Sequence, residues 1–222
     1  DLFTYTGTTG TALDYDGLSE LQRNALDTAL DGTSDGLGTE RIAWLSGDNN
    51  AGVNFRERTH KAEGSSITRP RMLGDIIGSN PQYVGKVNYG HRRLGGTEGA
   101  DYAAFRASDD YNERPDVIYV GANDGFLHAF HAKTGEELFA YMPGEFLNPA
   151  PGKSYAPVSE LMDPEYDHRF FVDGTPTIGD VYINNQWSTL LLGTTGVGGR
   201  TVFALDVTDP ESFSSDDVRW EF

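Results

Sequence analysis

Two stretches of the chain repeat the same order of short apolar runs and turns. The first passes through Gly78-Ser79-Asn80-Pro81-Gln82-Tyr83-Val84, Val117-Ile118-Tyr119-Val120-Gly121, Phe126-Leu127-His128-Ala129-Phe130-His131 and Leu138-Phe139-Ala140-Tyr141. The second passes through Gly174-Thr175-Pro176-Thr177-Ile178-Gly179-Asp180-Val181, Leu190-Leu191-Leu192-Gly193, Val202-Phe203-Ala204-Leu205-Asp206-Val207 and Val218-Arg219-Trp220-Glu221-Phe222. Short runs rich in β-branched and aromatic residues, bounded by Gly, Pro and Asp-Gly, read as strands. Asn123-Asp124-Gly125 is the strongest of the hairpin signals between them. Four strands in roughly 45 to 70 residues, given twice, have the size of a propeller blade. A blade cannot bury both its faces alone, and two cannot close a ring of about four to eight. The expectation is a mainly β protein: a partial, truncated β-propeller with a short helical N-terminal segment.

That segment, residues 1–73, is expected to pack on the propeller, with residues 1 to about 17 irregular apart from a hydrophobic tag of Leu2, Phe3 and Tyr5. Ser19 and Gln22 have capping-box spacing, and Leu18, Leu21, Ala25, Leu26, Ala29 and Leu30 recur at helical intervals up to Asp31-Gly32. A second short helix is predicted from Thr39 to Leu45. Residues 74–222 are predicted to hold the two blades, and helical periodicity is not expected to return there. Two insertions depart from a bare blade. Residues 86–116 are too long for a simple hairpin loop, and 144–169, with Pro149, Pro151, Pro157 and Pro164, read as a connection lying on a surface.

The 17 Lys and Arg against 34 Asp and Glu set a formal charge of −17. Such a field repels phosphate, so nucleic acid and anionic membranes are unfavourable partners. No run approaches the roughly 20 apolar residues of a membrane span. Cysteine is absent, which removes disulfides, thiolate metal sites and a Cys nucleophile together. Asp1, with no leader before it, reads as the start of a processed or excised chain.

Asp14-Tyr15-Asp16-Gly17 invites a calcium reading, but an EF-hand register would place Ala12 first and Arg23 twelfth, so a turn is expected. Asp31-Gly32-Thr33-Ser34-Asp35-Gly36 and Ser46-Gly47-Asp48-Asn49-Asn50 share that ambiguity. His128 and His131, three apart on a strand, point to opposite faces and cannot share a metal. The Gly193 to Gly199 cluster leads into a strand rather than a helix and so fails as a phosphate cradle, and Arg200 is expected to face solvent or an acid. Paired carboxylates for glycoside hydrolysis remain open among 34 acids.

Gly74 to Pro81, Val117 to Phe130, His168-Arg169-Phe170-Phe171-Val172-Asp173-Gly174-Thr175-Pro176 and Gly198-Gly199-Arg200-Thr201 through Val207 closely resemble the C-terminal propeller of the PilY/PilC family. Its members are tip-associated adhesins and biogenesis factors of type IV pili. The resemblance runs from about Ser19 to Phe222, with Arg41 to Asp48 similar to the helix-to-propeller junction. It implies pilus biogenesis and tip-associated adhesion, minor pilins and the pilus tip as partners, host or abiotic surface receptors, and a location in the periplasm, at the outer membrane surface or at the pilus tip. The family's calcium loop belongs to a later blade and its von Willebrand-type region to an N-terminal part. No cofactor is therefore expected in these residues, and calcium is expected of the full-length protein.

Val117 to Tyr141 is also similar to the repeat of pyrroloquinoline quinone dehydrogenases, hence a quinoprotein-like blade. Two blades enclose no central pocket, however, and without Cys that family's vicinal disulfide cannot form. A scaffold like the outer-membrane assembly propellers, binding partner peptides along a strand edge, is a further alternative. The reading is of a non-enzymatic binding protein with no catalytic, cofactor or metal residue assigned. Its partner contacts are placed on Tyr89, Arg92, Arg93, Tyr102 and Tyr111, because aromatic residues and Arg are favoured contact residues.

Overall fold

The computed structural model describes residues 1–49 and 54–222; Asn50, the last residue of the Ser46 run, lies outside them. In chain order the elements are β1 (Leu2–Tyr5), β2 (Gly10–Ala12), α1 (Glu20–Leu26), α2 (Gly38–Leu45), β3 (Thr59–Lys61), β4 (Thr68–Pro70), β5 (Gln82–Val84), α3 (Gly96–Ala107), α4 (Asp109–Glu113), β6 (Val117–Gly121), β7 (Leu127–His131), β8 (Glu137–Met142), β9 (Thr177–Ile183), β10 (Gln186–Thr194), β11 (Val202–Asp206) and β12 (Val218–Glu221).

Each repeat forms an antiparallel meander, β5-β6-β7-β8 and β9-β10-β11-β12. The β6–β7 turn closes through Gly125 at φ 101°, a conformation only glycine adopts freely. Alternation sets the faces: along β10, Trp187, Thr189 and Leu191 are buried while Gln186 and Leu192 are exposed. Gly193 leaves room for the Phe203 ring, which a Cβ there would strike. The two sheets meet through Tyr141 against Phe203 at 4.9 Å and Phe139 stacked on Phe213 at 3.7 Å, and they do not close into a ring.

Several expectations need correction. Residues 1–17 are not irregular: β1 pairs antiparallel with β2 and parallel with β8, enlarging the first sheet to six strands. The Leu2, Phe3, Tyr5 tag is too short to announce a strand, and its partner lies far along the chain. The capping box at Ser19 is present, but α1 ends at Leu26, where Asp27 caps it, short of Leu30. Helix does return after Gly74, as α3 and α4. In α3 only Gly99 and Tyr102 are buried, too few apolar positions to show a 3.6-residue period. Nor is 144–169 a purely surface connection: Phe146, Leu147, Ala156, Val158, Leu161 and Met162 enter the core beside Trp44 and Leu26.

Candidate functional site

The 86–116 insertion is anchored from within. The Tyr102 hydroxyl donates to Asp180 Oδ2 at 2.9 Å and accepts the Tyr89 N–H at 3.2 Å. Thr189 Oγ1 donates to Asp180 Oδ1 at 2.8 Å and accepts from Arg114 Nη1, also at 2.8 Å, while Arg114 Nη2 donates to Gly85 O. Arg114 lies 4.0 Å over the Tyr111 ring, whose hydroxyl donates to Val87 O. Trp187 donates to Glu98 O and is flanked by His91, stacked at 4.9 Å, and Tyr102 at 4.7 Å. Burial, reinforced by Asp180, pushes the Tyr102 phenol up to about 12, so it stays a donor.

This arrangement divides the five residues expected to contact a partner. Tyr102 and Tyr111 are each 1% exposed and hold the insertion in place, with no ring surface left for a partner. Tyr89, 41% exposed, and Arg92 and Arg93 on the 3-10 turn His91–Arg93 stand outward, with Val87 and Leu94 exposed beside them. The five therefore form one unit, three residues presented by two.

On the first sheet, His128 lies between two carboxylates, with Nδ1 2.5 Å from Glu137 Oε1 and Nε2 3.2 Å from both oxygens of Asp124. His131 is separate and accepts the N–H groups of Lys133 and Thr134. Burial opposes the His128 imidazolium, but the charges and hydrogen bonds of Asp124 and Glu137 overcome it and raise the pKa from 6.5 to about 9. A raised folded-state pKa supplies stability that is complete below the unfolded value near 6.5 and lost as pH climbs through 9. The expected loss across that window is on the order of 3 kcal/mol. His128→Gln should flatten this part of a urea-unfolding profile measured against pH.

Two of the ambiguous acidic runs, at Asp14 and Asp31, form turns. Gly17 N–H donates to Asp14 Oδ1, and Thr33 donates twice to Asp31 Oδ1. Gly32 to Gly36 carries Gly-x-Ser-x-Gly spacing, but Ser34 is exposed in an isolated bridge to Thr28 rather than at a strand-to-helix elbow. Among the described residues no group of three or more His, Asp and Glu side chains converges to hold a cation. The two residues that follow the Gly193–Gly199 cluster receive a carboxylate. The N–H groups of Arg200 and Thr201 donate to the Glu145 carboxylate, while the Arg200 side chain is exposed.

Two stacked antiparallel meanders with long insertions between their strands define a β-propeller protein. A family model described as the PilY1 beta-propeller domain matches residues 73–221, and the chain belongs to that family. It is 38% identical over 179 residues to the type IV pilus biogenesis factor PilY1 homolog of Xylella fastidiosa (strain Temecula1), an alignment covering 76% of this chain and 12% of that one. To the type IV pilus biogenesis factor PilY1 of Pseudomonas aeruginosa (strain UCBPP-PA14) it is 37% identical over 198 residues, covering 86% and 15%. The chain thus spans 12–15% of the length of these curated relatives. Among solved structures it is similar to the P. aeruginosa PilY1 C-terminal domain, with 32% identity, a TM-score of 0.45, and coverage of 63% of this chain and 24% of that one. No helix among the described residues is long and apolar enough to cross a membrane.

Proposed function

We propose that this chain serves type IV pilus biogenesis and tip-associated adhesion by binding other proteins, without catalysis, through the outward face of the 86–116 insertion. One observation carries the reading. In a chain of net charge −17, Arg92 and Arg93 stand exposed beside Tyr89, and a buried aromatic and ion-dipole framework fixes their turn. A rigid Arg and Tyr surface loses little side-chain freedom on binding, and its local positive charge selects acidic surfaces. Minor pilins at the pilus tip are the partners this reading names, with surface receptors as a second set. The location is the periplasm, the outer membrane surface or the tip itself. Calcium, in this reading, is bound elsewhere in the full-length protein.

The test is Arg92→Glu with Arg93→Glu in the full-length protein. Capture of minor pilins and the number of surface pili should both fall, and raising salt should weaken wild-type capture. Thermal stability should stay within about 0.5 kcal/mol, as expected of exposed positions. Normal capture and normal piliation in this variant would overturn the proposal.

A further inference from the structure

The segment between α2 and β3 carries two guanidinium groups without a direct ion pair among the described residues, although Asp124 acts on Arg58 from beyond pairing distance. Arg58 is 8% exposed, stacks 3.6 Å over the Trp44 ring, and donates from Nη2 to Trp44 O and from Nε to Asn49 Oδ1. Arg56 lies 4.2 Å over the Tyr166 ring and donates from Nε to Leu161 O at 2.7 Å. Among the described residues no carboxylate comes within ion-pair distance of either, and Arg58 Nη1 and both Nη groups of Arg56 have no acceptor. Buried charges are ordinarily paired. Here burial, with the neighbouring charge of Arg56, instead pulls Arg58 down to about 10.

Both arginines line a cavity of about 270 Å³ walled by Trp44, Tyr166 and Leu161, with Arg71 also on its lining. Three acids line it too. Asp75 is engaged by His168 and Asn123, Asp124 by His128 and the N–H groups of Gly74 and Phe126, and Glu57 is exposed. Two of the three are thus committed elsewhere, which leaves the free guanidinium nitrogens open to the cavity without a protein acceptor among the described residues.

We propose that this cavity binds an oxyanion, a carboxylate or a phosphate, held by the free Nη groups of Arg56 and Arg58 between the rings of Trp44 and Tyr166. The planar guanidinium fork matches the spacing of two oxyanion oxygens, and aromatic walls leave its charge poorly hydrated and available. The volume falls below the roughly 300–1,000 Å³ of drug-sized sites. It suits a single acidic group, either a small free ion or a carboxylate presented by another protein. The site is independent of the tip at Arg92 and Arg93.

The experiment follows the guanidinium Nε–H signals of Arg56 and Arg58 by proton–nitrogen NMR in the whole chain. Inorganic phosphate and a blocked Asp-Glu dipeptide are titrated separately. Saturable shifts at both arginines are expected with at least one probe: phosphate alone identifies a free ion, the dipeptide alone a protein carboxylate, and both a site that reads charge. Arg56→Gln should weaken binding about ten-fold or more, while the exposed rim change Arg71→Gln should weaken it less. Arg92→Gln with Arg93→Gln should leave it unchanged. No saturable shift in the wild type, an unaltered affinity in folded Arg56→Gln, or an equal loss in the tip variant would overturn the assignment.

Discussion

Asp180→Ala is expected to lower the unfolding free energy by about 3–5 kcal/mol, the scale on which stripping a buried charge of its compensation acts. Asp180 is 6% exposed and accepts from Tyr102 and Thr189, and Thr189 in turn accepts from Arg114, itself 6% exposed. Removing the carboxylate leaves the Arg114 charge facing only neutral dipoles and leaves the Tyr102 hydroxyl without its acceptor. Tyr102→Phe removes two hydrogen bonds, to Asp180 and from the Tyr89 N–H, and should cost about 1–3 kcal/mol. Urea unfolding gives both numbers, and hydrogen exchange adds a positional check: amides of α3 should lose protection first in Asp180→Ala. Equal stability of Asp180→Ala and wild type would show that Arg114 is compensated by other means.

The second large effect is expected at Phe139. Its ring is 1% exposed, lies parallel to Phe213 at 3.7 Å and 5°, and meets Tyr119 at 6.3 Å; Phe213 in turn contacts Phe3 edge-on at 5.1 Å. One side chain therefore joins the first sheet, the β11–β12 connection of the second, and the N-terminal strand. Phe139→Ala removes the transfer energy of a whole ring and opens a cavity that three elements would have to move to fill, a cost of about 3–5 kcal/mol. Because the ring is shared, both sheets should unfold in one transition at lower urea with an unchanged m-value. Separate transitions for tryptophans on the two sides, Trp44 and Trp187, would instead mean that the sheets are energetically independent.

What the chain discloses before folding divides along the range of the interactions. The meanders were legible because their signals are local: Asn123-Asp124-Gly125 for one turn, and short β-branched and aromatic runs for the strands. The capping box at Ser19 was legible for the same reason, since the bonds between Ser19 and Gln22 span three residues. By contrast, Tyr102 meets Asp180 across 78 residues and Arg114 meets Thr189 across 75, so no spacing in the sequence marks them as partners. Their roles in holding the insertion, and the burial that takes Tyr102 and Tyr111 off the contact surface, follow only from the fold. Arg56 and Arg58 drew no reading from the sequence. An alternating pair of arginines in an extended segment shares one side, but only the placement of Trp44 and Tyr166 reveals that the side is enclosed.

The parallel pairing of β1 with β8 also bears on assembly. Thr4 Oγ1 donates to Met142 O across 138 residues, so the β8-facing edge of β1 has no strand beside it until that whole stretch has been made. Closing so long a loop is entropically slow. Throughout that interval the strand offers an unprotected edge to any other extended segment. The early segment is thus the one most in need of a holding factor, and the one at which premature pairing would most readily divert the chain into misassembly.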